Sequence, residues 1–112
     1  MTTESALTTK KCQACSSATQ ALAADTVRDL LKQVPGWDLV NGELRRTFKF
    51  KNYYESLAFV NATAWISHRE DHHPDIELGY SQVTMRYSTH SVKGLTENDF
   101  ICAAKISALL AG

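Results

Sequence analysis

The chain has 112 residues, of which 44% are apolar, 9% aromatic and 21% charged, the profile of one folded globular domain with a single hydrophobic core. Twelve basic and twelve acidic residues give a formal net charge of zero, so no overall field favours nucleic acid or an anionic membrane surface, and neither is expected as a partner. No apolar run approaches the ~20 residues that span a bilayer, and the N-terminus lacks the basic-then-apolar layout of a secretion signal, so a cytoplasmic location is expected.

Residues 1–20 show no clear periodicity and few large apolar side chains, and are expected to form a flexible arm ahead of a single domain over residues 21–112. The arm carries Cys12-Gln13-Ala14-Cys15, the spacing of half a zinc site or of a redox pair. Cys102 alone does not complete a second pair, and the Ser/Thr/Ala-rich surroundings are not the strand-to-helix setting of a thioredoxin-type motif. The simpler reading is two reduced thiols in a loosely ordered leader.

Asp25 can cap a short helix running to about Val34, with Val27, Leu30, Leu31 and Val34 at helical spacing and Pro35-Gly36 as its stop. Trp37–Val40 and Leu44–Phe50 read as strands joined by Asn41-Gly42, a strong hairpin signal. In the second strand Leu44, Arg46, Phe48 and Phe50 share one face and Arg45, Thr47 and Lys49 the other. The basic and aromatic interleaving there is better explained by a half-solvated strand than by a nucleic-acid surface. Residues 52–70 form the longest predicted helix, with Tyr53, Leu57, Val60, Ala64 and Trp65 as a broad apolar face. Pro74 blocks its continuation. Ile76–Tyr80 and Gln82–Thr89 read as a second hairpin, and a last helix runs from about Thr96 to about Leu110. The order helix, two strands, helix, two strands, helix implies an α+β domain, a four-stranded antiparallel sheet with three helices on one face.

The histidines carry the chemistry. His68, His72 and His73 lie within six residues, and His90 follows on the polar side of the last strand, where Thr84, Arg86 and Ser88 alternate with Val83, Met85 and Tyr87. A register that sets Ile76 opposite Tyr87, Leu78 opposite Met85, Tyr80 opposite Val83 and Glu77 opposite Arg86 brings His73 across from His90. A slip by two residues puts Asp71 there instead, still within reach of His72. Ser81-Gln82 is a poor turn for the first of these registers. Converging histidines fit a metal site built on His68 and His72, or an acid–base pair that donates one proton and accepts another near neutral pH. Pro74 and the end of the helix disturb the metal geometry, and surface histidines without a role remain the simplest alternative. Asp99 completes Thr96-Glu97-Asn98-Asp99, a variant capping box, and that helix-terminal role suffices to explain it.

The spacing His68, His72-His73-Pro74, Tyr80, His90, Asp99, with the tract Ser88–Leu95, Asn98-Asp99-Phe100 and the entry Pro35-Gly36-Trp37, resembles the pterin-4a-carbinolamine dehydratases over roughly residues 25–110. The leader with Cys12 and Cys15 is similar to bacterial members. The resemblance implies dehydration of 4a-hydroxytetrahydrobiopterin to quinonoid dihydrobiopterin and water, without metal or organic cofactor, recycling the pterin of aromatic amino acid hydroxylases. It implies His72 and His90 as the acid–base pair, His73 as chiefly the substrate holder and Asp99 as support for His90. His72, His73, Pro74, Thr89, His90, Ser91 and Val92 become the pterin-contacting residues, while His68 stands where the family accepts other polar residues and is not catalytic. Asp75-Ile76 replaces the acid followed by Trp of animal members, which changes one pocket wall. A homodimer or homotetramer is implied, with an aromatic amino acid hydroxylase as a possible partner. The rival reading is a non-catalytic interaction module regulating a hydroxylase or a transcription factor.

Overall fold

The computed structural model describes residues 4–16 and 18–111. Helix α1 (Glu4–Thr8) and helix α2 (Ala24–Leu31) precede strands β1 (Asp38–Val40) and β2 (Glu43–Lys49). The long helix α3 (Tyr53–Glu70) leads to β3 (Asp75–Leu78) and β4 (Gln82–Tyr87), then a single 3-10 turn (His90–Val92) and helix α4 (Glu97–Ala111). The strands form one antiparallel sheet in the order β1-β2-β4-β3, the α+β architecture expected from the chain order.

Local chemistry explains the elements. Asn41 and Gly42 take positive φ, 52° and 79°, and close the β1–β2 hairpin with Val40 opposite Glu43, a turn whose twist matches that of the strands. Asn52 caps α3 by accepting from the Glu55 N–H at 3.0 Å, which satisfies one of the helix's free amides. Leu44 and Phe48 of β2 and Val83, Met85 and Tyr87 of β4 line the buried face, joined by Trp37, Phe59, Phe100, Ile101 and Ile106. Helices α3 and α4 pack on this sheet, and α2 adds Val27 to the same core. Each fully buried large apolar side chain contributes about 1.5–3 kcal/mol. Arg46 shares the core side without breaking it, because its guanidinium lies 4.5 Å from the Phe48 ring centre and donates to Ser107 Oγ at 2.9 Å, where the Trp37 indole also donates at 2.9 Å.

Three expectations change. Helix α3 presents Ser56, Phe59 and Thr63 as its buried residues, leaving Tyr53, Tyr54 and Trp65 exposed, so its inner face is rotated from the expected stripe. Ser56 is tolerated there because its hydroxyl donates to the carbonyls of Asn52 and Tyr80.

The second hairpin is shifted by two residues. Ile76 pairs with Met85, Leu78 with Val83, Glu77 with Thr84 and Asp75 with Arg86, so the register that set His73 opposite His90 does not form. The turn decides it: the Gly79 N–H donates to the Gln82 carbonyl at 2.8 Å, which places Tyr80 and Ser81 in the loop instead of Ser81 and Gln82. The Glu77–Arg86 ion pair survives at 2.7 Å as a diagonal contact.

The arm is not loose throughout. Leu7 of α1 is 1% exposed, α1 packs on α4, and Lys105 donates to the Thr8 carbonyl at 3.0 Å. A single leucine buried against α4 is enough to dock a helix too short to show periodicity.

Candidate active site

Helix α3 ends where Asp71 adopts the left-handed conformation at φ 52°, and the His72 N–H closes the last turn on the Ser67 carbonyl at 3.2 Å. The chain then leaves the helix axis, carrying His72, His73 and the buried Pro74 across the end of the sheet before β3 begins. The His72 imidazole stacks on the Tyr87 ring, with centroids 5.5 Å apart and planes 19° apart. Its Nε2–H donates to Asp99 Oδ1 at 2.6 Å.

Asp99 lies in the first turn of α4 with its carboxylate 0% exposed. Its second oxygen accepts from Thr89 Oγ1 at 2.8 Å and from the Thr96 N–H at 2.9 Å, and Thr96 Oγ1 in turn donates to Thr89 Oγ1 at 2.9 Å. The Thr96 contact is the backward half of the expected capping box. A buried carboxylate is costly unless its lone pairs and charge are met; here three donors and the positive end of α4 meet them. Burial alone pulls the His72 pKa down, but its hydrogen bond to Asp99 and the attraction of that charge outweigh burial and leave it above the ordinary histidine value.

His90 opens the 3-10 turn that follows β4 and is exposed. The turn is pinned by the Thr89 N–H donating to the Gly94 carbonyl at 2.8 Å and ends at Lys93, left-handed at φ 55°. A cavity of about 630 Å³ opens between these elements, lined by His72, His73, Ser88, Thr89, His90 and Ser91, by Arg69 and Asn98 from α3 and α4, and by residues 12–15 of the arm. Five expected site residues, His72, His73, Thr89, His90 and Ser91, thus meet in one cavity. Pro74 and Val92 do not line it, and Asp99 stands behind His72.

One assignment changes. Asp99 holds His72 and not His90, because the shifted register and the αL residue Asp71 swing His72 onto α4 while β4 stops at Tyr87. His68, read as outside the catalytic set, packs at a tilt against the exposed Trp65 with ring centroids 5.9 Å apart and does not line the cavity. Among the described residues no group of three or more His, Cys, Asp or Glu side chains is arranged to hold a metal ion. The sequence reading missed the arm as a cavity wall, the Tyr87 ring under His72 and the Asn98 side chain. Tyr87 was placed on the core face by strand alternation, but only the crossing of α3's end over β4 reveals what it supports.

The sequence matches the family model for pterin 4 alpha carbinolamine dehydratase over residues 20–109. A relative from Nitrosospira multiformis, named for the same dehydratase, is 52% identical over 108 residues, 96% of each chain. One from Stenotrophomonas maltophilia is 64% identical over 83 residues, 72% of each chain. A transcriptional coactivator/pterin dehydratase from Brucella melitensis has a similar crystal structure, with a TM-score of 0.77 and 30% identity over 80% of this chain and 98% of that one. A pterin dehydratase-like protein described as a RuBisCO assembly factor in the alpha-carboxysome is more distant, at TM-score 0.54 and 26% identity over 65% of this chain and 84% of that one. With a family match over four-fifths of its length, and half its residues shared with a relative of nearly equal extent, the chain belongs to the pterin-4a-carbinolamine dehydratase family.

Proposed function

We propose that this chain is a hydro-lyase that dehydrates 4a-hydroxytetrahydrobiopterin to quinonoid dihydrobiopterin and water, with His72 and His90 as its proton-transfer groups. The observation that carries the reading is the His72–Asp99 pair at 2.6 Å, set in the same cavity as His73 and His90. The substrate bears a hydroxyl on carbon 4a beside a ring nitrogen. Asp99 occupies Nε2 of His72 and favours its charged form, so His72 serves as the acid, delivering a proton from Nδ1 to the departing hydroxyl. The nitrogen lone pair assists departure, and His90 takes the N–H proton. His73, exposed at the cavity mouth, holds the pterin, with Thr89 and Ser91 beside it. Positioned acid–base groups supply on the order of 10²–10⁴-fold, a modest demand for a reaction that proceeds slowly unaided. No bound cofactor is part of this scheme.

The decisive measurement follows loss of chemically generated 4a-carbinolamine with wild type, His72→Ala and His90→Ala. Each variant is expected to be slower than wild type by about 10²-fold or more; equal rates in all three would overturn the proposal. The physiological role inferred with it is recycling of the pterin used by an aromatic amino acid hydroxylase, in the cytoplasm. Among the described residues no helix is long and apolar enough to cross a membrane.

A second reading, a non-catalytic interaction module, is favoured by the assembly-factor relation noted above. It predicts partner binding that survives both histidine substitutions and a wild type that turns over no pterin.

A further inference from the structure

Cys12 and Cys102 are 90 residues apart in sequence, yet their sulfurs lie 3.6 Å apart. Cys102 is 0% exposed in α4, one turn beyond Asp99, with its Sγ 4.0 Å from the His72 carbonyl oxygen. Cys12 is half-buried in the irregular arm, and its thiol contacts the Asn98 carbonyl at 3.6 Å. Three hydrogen bonds seat this part of the arm. The Cys12 N–H donates to Glu70 Oε1 at 2.9 Å, the Gln13 N–H to Asn98 Oδ1 at 2.9 Å, and Asn98 Nδ2 to the Gln13 carbonyl at 2.7 Å. Two thiols held in contact, one on a fixed helix and one on an arm without regular structure, need only a small movement of the arm to reach the bonded S–S distance of about 2.05 Å.

We propose that Cys12 and Cys102 form an oxidation site, a dithiol that peroxide closes into a disulfide, fastening the arm as a permanent wall of the histidine cavity. The partly exposed Cys12 sulfur attacks one peroxide oxygen, forming an S–O bond as the O–O bond breaks and the second oxygen leaves as hydroxide, which takes up the thiol proton as water. The Cys102 sulfur then displaces the hydroxyl from Cys12, forming S–S as S–O breaks, and its proton leaves with that hydroxyl as a second water. The two sulfurs together lose two electrons and the peroxide gains them. Contact with Cys102, burial and the nearby Glu70 carboxylate all raise the Cys12 pKa, so the thiol form dominates and closure is slow compared with oxidation of an ordinary exposed thiol. Cys15 is such an exposed thiol, and it is the competitor the experiment must remove.

The test treats wild type, Cys15→Ser, Cys12→Ser and Cys102→Ala with hydrogen peroxide, followed by intact mass and non-reducing tryptic mapping. Wild type and Cys15→Ser are expected to lose two hydrogens and yield a cross-link between peptides 12–28 and 94–105 that dithiothreitol reverses. Their oxidised forms are expected to melt higher than their reduced forms, a difference absent in Cys12→Ser. A Cys12–Cys15 bridge as the main wild-type product, or no cross-link in Cys15→Ser, overturns the proposal. Cys102→Ala alters a packed helix, so the conclusion rests on Cys12→Ser, whose change lies in the arm. None of these readouts depends on pterin turnover, so failure here leaves the proposed dehydration untouched, and the reverse holds.

Discussion

Asp99 answers to three partners at once, and the consequences of disturbing it can be separated. Asp99→Asn keeps an oxygen for Thr89 or Thr96 but removes the charge that stabilises the His72 imidazolium. The rate of carbinolamine loss is expected to fall on the order of 10²-fold. The pH above which activity declines is expected to move downward, because His72 then loses its proton earlier; a pH–rate profile of the two proteins checks both. The same pair gives a stability signature. A histidine whose pKa is raised on folding contributes stability that is fully present below its unfolded value near ~6.5 and is lost as pH rises through the folded value. Denaturant midpoints measured across that window are expected to fall with rising pH in wild type more than in Asp99→Asn. At this scale the sequence was informative about residue types and less so about partners. The spacing of Thr96 and Asp99 announced a cap, and the cap forms. That the same carboxylate also turns toward His72 depends on the left-handed Asp71, a conformation no composition signal marks, since Asp there is equally at home in an ordinary helix end.

Among the elements, the strands of the first hairpin were legible because Asn41-Gly42 leaves the turn little choice and because Leu44 and Phe48 must face inward. The second hairpin was legible in type, and its register is the two-residue slip, with Ile76 opposite Met85, instead of the pairing that set His73 opposite His90. Ile76 and Leu78 remain 39% and 38% exposed on an outer strand, so burial does not enforce the alignment that apolar pairing suggested. The Tyr80-Ser81 turn enforces another. Helix α1 was missed for a different reason: five residues hold barely more than one turn, and Leu7 is its only large apolar side chain known to be buried. Leu7→Ala is therefore expected to destabilise the fold by about 2 kcal/mol, at the low end for a buried leucine because a short terminal helix can relax around the loss. Urea unfolding of the variant checks the figure, and an effect within error of zero would mean that α1 docks too weakly to matter.

For the whole molecule, the α+β order and the sheet were readable from period and punctuation alone, while the way helix α1 and the Cys12-Gln13 stretch return to the last helix was not. Strand β3 is an outer strand that pairs with β4 alone among the described residues, with Ile76 and Leu78 exposed on it and Tyr80 exposed in the turn just beyond. An apolar outer strand left open to water invites pairing with another chain, which supports the homo-oligomer inferred for this protein. Light scattering is expected to give a mass of two or four chains for wild type and a smaller assembly for an Ile76→Lys, Leu78→Lys double variant of unchanged circular dichroism; a monomeric wild type would refute it. The arm's grip on Asn98 has a practical corollary for anyone delimiting this protein. The family match begins at residue 20, so a version trimmed to those borders would keep every histidine and its Asp99 support. It would nonetheless be missing the Gln13 backbone that Asn98 clasps and the lip of the cavity beside His72. Homology borders and the working unit differ here by one short tether, and a tag or cut placed there is a change to the site itself.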